Sequence, residues 1–135
     1  IKNLIQPVLG ICLGQQLMCQ FSEEGNTKCL GIFDVNVKKF EPKLKVPHMG
    51  WNEVNHTITH ALWRDIPQNS RFYFVHSYFV QAQEATQVAG TASYPNPFAA
   101  VLLREGVFAT QFHPEKSQEM GLQLLANFMT WDGSL

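Results

Sequence analysis

Short apolar runs alternate along the chain with single glycines, prolines and charged residues, and the spacing predicts more strand than helix. Residues 7–12 form an apolar run closed by Gly14, the form of a strand buried in a parallel sheet. Leu13, Leu17, Met18 and Phe21 then recur at helical spacing, which predicts a helix over 13–21 ending at Gly25-Asn26. Ahead of them, residues 1–6 read as the end of an earlier helix. Phe33, Val35 and Val37 alternate with polar neighbours and predict a strand with one wet face. Pro42 and Pro47 mark a loop, 49–54 a further strand, and Leu62-Trp63 with Ile66-Pro67 a short helical turn. Residues 72–80 are aromatic and β-branched, a strong strand pattern, and 87–93 carry a weaker one. After the turn at Tyr94-Pro95-Asn96-Pro97, the segments 98–104 and 107–112 flank Glu105-Gly106 as a hairpin. A last helix follows Glu115 and carries Met120, Leu124, Leu125, Phe128 and Met129 on one face. The pattern is that of an α/β domain with a mixed sheet.

At 135 residues the chain suits a single domain. A net charge of -1 with no basic stripe lacks the footprint of nucleic-acid binding. The longest apolar runs, such as 98–103, fall far short of the roughly 20 residues a bilayer span needs. Three cysteines, Cys12, Cys19 and Cys29, are odd in number and match no metal spacing. They read as reduced thiols of a cytoplasmic protein.

Chemistry concentrates in two places. Gly10-Ile11-Cys12-Leu13-Gly14 sets a nucleophile between two glycines, after a predicted strand and before a predicted helix, as in a nucleophile elbow. A turn that tight leaves no room for bulky flanks. It would place the thiol at a helix N-terminus, where the macrodipole favours a thiolate, and aim the Leu13 amide at a developing oxyanion. The alternative is a buried structural cysteine. His113-Pro114-Glu115 offers a base and its orienting carboxylate at the end of a strand. Alone, it could equally be a surface turn capping the last helix.

Other residues carry less. His56 and His60 lack a helix between them and a third ligand, so no metal site is expected. His76 sits in an aromatic strand as a core residue would. Trp51, in Pro47-His48-Met49-Gly50-Trp51-Asn52, is either core or an interface anchor. Cys19 reads as core, and nothing distinguishes Cys29.

Together these motifs resemble the class I, triad-type glutamine amidotransferases. Gly10-Ile11-Cys12-Leu13-Gly14-Gln15-Gln16 is similar to their nucleophile motif and Phe112-His113-Pro114-Glu115 to their His-x-Glu motif. The segments 47–52 and Phe74-Val75-His76-Ser77-Tyr78 resemble the glutaminase subunits of imidazole glycerol phosphate synthases. The resemblance runs through essentially the whole chain, as one amidotransferase domain over 1–135. It implies a flavodoxin-like α/β sandwich with a mixed, mainly parallel sheet, and no cofactor. It implies that Cys12 attacks the carboxamide of glutamine, that His113 passes the proton to departing ammonia, and that Glu115 orients His113. Gly10, Leu13, Gln16, Ser77 and Tyr78 take substrate-binding positions.

The same resemblance implies that ammonia passes to a (β/α)8 cyclase subunit for histidine synthesis, with His48, Met49, Trp51 and Asn52 facing that partner. Two departures stand out. Gln15 occupies the place of a methionine, and the family's strands, helices and glycine-rich oxyanion loop ahead of the nucleophile strand have no counterpart here. The chain is therefore expected to be the C-terminal portion of such a domain, with residues upstream of Ile1, and to be poorly stable and nearly inactive alone. Two other functions fit the same motifs: a cysteine hydrolase or peptidase-like relative using the elbow, and a non-catalytic module that binds a partner.

Overall fold

The computed structural model describes residues 3–41, 44–81 and 87–135. The elements are β1 (Val8–Ile11), α1 (Leu13–Leu17), β2 (Phe21–Ser22), β3 (Thr27–Lys28), β4 (Asn36–Lys39), β5 (His48–His56), β6 (Ser70–His76), β7 (Tyr78–Val80), β8 (Val88–Ser93), β9 (Pro97–Arg104), β10 (Val107–Thr110) and α2 (Gln118–Met129). Short 3-10 turns cover Glu24–Asn26, Ala61–Trp63 and Pro114–Lys116. Pro42, Ile1 and Lys2, which carried part of the loop and leading-helix expectations, lie outside the described residues. Residues 3–6 form no helix.

A six-stranded sheet runs in the order β1-β10-β9-β8-β5-β6, and a four-stranded one in the order β3-β2-β4-β7. The mixed α/β character is as expected. The mainly parallel sheet is corrected: among the described residues only β1 with β10 and β2 with β4 are parallel, and the other pairs are antiparallel. Parallel neighbours need a crossover of about a dozen residues or more, whereas tight turns join antiparallel ones. Here Glu105-Gly106 closes β9 onto β10, and Gly106 takes the positive φ of 78° that such a turn needs.

β9 is buried on both faces and forms the middle of the molecule. On one side Phe98, Ala100 and Leu103 join Phe72, Phe74, Phe108 and Phe112 beneath Leu62, Trp63 and Leu124 of α2. On the other, Ala99 and Leu102 meet Met18, Phe33, Val35, Val37 and Val80 of the small-sheet layer. Continuous apolar runs such as 98–103 are what a strand covered on both faces requires.

Three expectations shift. The predicted helix over 13–21 stops at Leu17, and Phe21 enters β2. Of its apolar positions Leu13, Leu17 and Phe21 stay exposed and only Met18 is buried, while Gln15 and Gln16 turn inward. Gly25 and Asn26, with φ of 67° and 47°, belong to a separate turn rather than to that helix's end. The strand expected over 72–80 breaks at Ser77: β6 pairs with β5 in the large sheet and β7 with β4 in the small one. On α2, Gly121, Leu124 and Asn127 face inward and Met129 is 80% exposed. Gly121 lets that helix sit hard on the preceding turn, since a Cβ there would lie 2.0 Å from the Pro114 carbonyl oxygen.

Gln15 is fully buried, its Nε2 donates to the Ala100 carbonyl at 3.4 Å, and its Oε1 has no partner among the described residues. An orphaned buried acceptor costs about 1–3 kcal/mol. Ala100 O keeps a donor without Gln15, because the Gln111 amide reaches it at 2.8 Å. Gln15→Met should therefore stabilise the protein by about 1 kcal/mol, read as a higher urea midpoint at unchanged slope. An unchanged or lower midpoint would show that Oε1 is satisfied in solution.

Candidate active site

Cys12 ends β1 with φ 55° and ψ -108°, a backbone conformation that residues other than glycine rarely adopt. Its own N–H donates to Thr110 O at 2.7 Å, which ties the turn to β10. Of the two flanking glycines, only Gly10 is crowded. A Cβ there would meet Met18 Sδ and Cε at 3.0 Å, while one at Gly14 would meet nothing within 4 Å.

The sulfur has two polar partners: Sγ donates to Val75 O at 3.8 Å and accepts from Gln111 Nε2 at 3.7 Å. Burial pushes the Cys12 thiol above its ordinary range, while the Leu13 amide and the Gln111 amide pull it down. The expectation of a thiolate favoured by the helix is corrected on this point. A five-residue α1 offers little macrodipole, and what remains at Cys12 is the local Leu13 N–H.

His113 leaves the end of β10, next to β1, and its N–H is held by Tyr73 O at 3.0 Å. Its Nδ1 meets Glu115 Oε2 at 2.9 Å. Because the carboxylate only accepts, Nδ1 carries the proton and Nε2 is left as the basic nitrogen. His113 is not among the hydrogen-bond partners of Cys12 Sγ, although Glu115 is near enough for its charge to act against a thiolate there. Such contacts are often long before substrate binds.

A cavity of about 270 Å³ opens beside the sulfur, walled by Cys12, Leu13, Gln16, Glu24 and residues 75–78. Leu13, Gln16, Ser77 and Tyr78 thus meet around one space. The break between β6 and β7 is what turns Ser77 and Tyr78 toward it. Gly10 is not part of the wall. Sequence reasoning missed Glu24, Val75 and Gln111. Gln111 had one legible signal, a polar residue inside the apolar run 107–112.

Behind the wall lies a polar chain whose direction can be deduced. His76 Nδ1 faces Tyr78 O at 2.7 Å, and a carbonyl only accepts, so Nδ1 bears the proton. His76 Nε2 must then accept from His48 Nδ1 at 2.9 Å, and His48 Nε2 faces the Asn52 amide at 3.4 Å. Both rings are neutral, and burial lowers the pKa of each to about 4.

The four residues expected at a partner surface therefore divide. Met49 and Trp51 are 62% and 42% exposed on one face of β5, with Trp51 edge-on to Tyr73. His48 is buried, and the half-buried Asn52 donates to Ser93 O at 2.9 Å. His56 stacks on Trp63 at 4.0 Å and His60 accepts from the Leu62 amide, so both serve local structure. No cluster of three or more His, Cys, Asp or Glu suited to a metal occurs among the described residues.

The histidine pair makes stability depend on pH. An ordinary histidine titrates near 6.5, these two near 4 when folded. Between those values the unfolded chain takes up protons that the folded chain refuses, so stability is full above about 6.5 and falls as pH drops toward 4. Urea midpoints should decline over that window, and His48→Gln should flatten the decline. A wild-type midpoint constant from pH 7 to pH 4.5 would contradict the assignment.

The chain is similar to known proteins over most of its length. The chain is 51% identical over 135 residues to the imidazole glycerol phosphate synthase subunit HisH of Nitrosomonas europaea, covering 93% of this chain and 64% of that one. It is 52% identical over 132 residues to the HisH subunit of Nitrosococcus oceani, covering 95% and 63%. The chain thus spans a little under two thirds of the length of these relatives. A crystal structure of a glutamine amidotransferase from Thermotoga maritima shares the fold, with a TM-score of 0.60 at 17% identity, over 91% of this chain and 46% of that one. The profile of the class-I glutamine amidotransferases matches residues 1–131, and the chain belongs to that family.

Proposed function

We propose that this protein is the glutaminase part of an imidazole glycerol phosphate synthase. It would hydrolyse glutamine to glutamate and pass the ammonia to a cyclase subunit of (β/α)8 type. The observation that carries the reading is the strained Cys12 at the mouth of a cavity shared with Leu13, Gln16, Ser77 and Tyr78, beside the hydrogen-bonded pair His113 and Glu115. Identity of 51% and 52% to HisH subunits, over 64% and 63% of their length, supports the specific pathway.

In this reading Cys12 Sγ attacks the carboxamide carbon of glutamine as its proton moves to His113 Nε2. The Leu13 N–H receives the developing oxyanion. His113 then protonates the departing nitrogen, and ammonia leaves a glutamyl thioester. Water, deprotonated by the same imidazole, hydrolyses the thioester to glutamate and restores the thiol. Glu115 keeps the imidazole in the tautomer that the first step needs. Ser77 and Tyr78 lie against the α-amino and α-carboxylate end, and the Glu24 carboxylate in the cavity wall suits an ammonium group.

Met49 and Trp51 form the surface that meets the cyclase. No helix of the described residues is long and apolar enough to cross a membrane, and the free thiols fit a cytoplasmic setting.

In the full-length parent protein, Cys12→Ser should abolish ammonia release, while Cys19→Ala and Cys29→Ala leave it near wild type. Losing the base in His113→Ala should cost about 10²–10⁴-fold, and Glu115→Gln less, because an unoriented imidazole still reaches the thiol part of the time. Ammonia assays decide this, and a wild-type rate for Cys12→Ser would end the glutaminase reading.

Trp51→Ala should weaken cyclase binding by about 2 kcal/mol, roughly thirtyfold, with little change in melting temperature. Titration calorimetry beside thermal unfolding checks it. Unchanged affinity with a large drop in melting temperature would make Trp51 a packing residue.

A further inference from the structure

Two buried amides stand between the small sheet and the Cys12 sulfur, and the proposed chemistry gives neither of them this task. Gln16 and Gln111 are 5% and 0% exposed. Gln16 Nε2 lies 3.1 Å from Tyr78 O and 2.8 Å from the Gln111 side-chain oxygen. The backbone carbonyl of Tyr78 can only accept, so the Gln16 atom facing it is the NH2 group. That same nitrogen faces Gln111, so Gln111 must present its oxygen. Its own NH2 is thereby turned toward Cys12 Sγ, 3.7 Å away. One backbone carbonyl thus sets the sense of both amides, and nothing in the chain of contacts permits either to flip without opposing like groups.

The sulfur's other partner is Val75 O, an acceptor. A thiol can satisfy it with its S–H. A thiolate cannot, and needs donors instead. Gln111 is the side-chain donor within reach of the sulfur, beside the Leu13 amide of the turn. Charged groups act on the sulfur as well, Glu115 and Lys116 from the turn after β10, while the Glu24 carboxylate and the neutral His76 stand in the adjoining cavity wall.

We propose that Gln111 donates a hydrogen bond that stabilises the Cys12 thiolate, and that Gln16 acts through Gln111 as its positioning residue. The proposal deepens the glutaminase reading but concerns the thiol itself, so it can be tested without glutamine. A hydrogen bond to a charged group strengthens when the charge forms, whereas a merely structural amide would leave the ionisation of Cys12 where it is.

The experiment follows alkylation of Cys12 by iodoacetamide across pH 6–10, with peptide mass spectrometry separating Cys12 from Cys29. The rate tracks the thiolate fraction. Gln111→Met keeps the volume and removes the donor, and should move the midpoint up by about one pH unit. At pH 8 this is roughly a tenfold slower reaction. Gln16→Met should shift it in the same direction by less, because Gln111 loses its restraint but keeps its donor. The double variant should match Gln111→Met alone, since the two act in series.

An unchanged midpoint in folded Gln111→Met overturns the proposal, and so do additive shifts. If Gln111→Met fails to fold by thermal melting, Gln16→Met decides, and an unchanged profile there overturns it as well. A full-length parent protein, assayed with its cyclase partner, that alkylates as described but releases no ammonia from glutamine would refute the glutaminase reading and leave this one standing.

Discussion

Cys12 and His113 are far apart in the chain, and a single register sets the strands that precede them side by side. Ile11 lies opposite Thr110 in the parallel pairing of β1 with β10, and the N–H of Cys12 continues that ladder onto Thr110 O. Both strands then end at the same edge of the sheet, so the residues that follow them emerge side by side. A slip of one residue would turn Gly10 away from Met18 and send the Cys12 side chain to the opposite face. β10 is in turn fixed by its antiparallel hairpin with β9, whose two buried faces tolerate no other alignment. The positions of Cys12 and of the turn that carries His113 are therefore inherited from the packing of the molecule's middle strand.

Around that frame the site is defined by backbone carbonyls. Val75 O faces the sulfur, and Tyr78 O receives both His76 and Gln16. Those carbonyls are free to take side-chain donors because β6 gives way to β7 at Ser77, where the chain leaves one sheet for the other. Two polar chains meet at Tyr78 O. One runs inward from Asn52 through His48 and His76, the other outward through Gln16 to Gln111. Buried polar groups are tolerable when each has a partner, and these do. Gln15, one residue away, shows the contrast, with an amide oxygen that none of the described residues satisfies.

How much of this was legible in the sequence follows from which signals are local. The elbow and the His-x-Glu stretch are short motifs whose geometry depends on adjacent residues, and both are found where the motif put them. The hairpin around Glu105-Gly106 was readable for the same reason. The reading failed where tertiary contacts override periodicity. Leu13, Leu17 and Phe21 look like a buried stripe, yet Gln15 and Gln16 take the interior because their amides find Ala100 O, Tyr78 O and Gln111 there. The unbroken aromatic run over 72–80 hides a change of sheet, since each half is a good strand by itself. Glu24 and Gln111 reach the site only through folding, and no spacing rule connects them to Cys12.

Gly121 touches neither the cavity nor the sulfur, yet its missing side chain bears on both. With no room for even a methyl group against Pro114 O, α2 is seated directly on the turn that carries Glu115. The helix cannot roll by one position without driving a larger residue into that carbonyl. It behaves as a machinist's gauge block, setting the height of the turn from behind. Among variants of this protein, a position remote from the chemistry would then admit a single amino acid, and intolerance there would record a fit between two backbones rather than contact with any ligand.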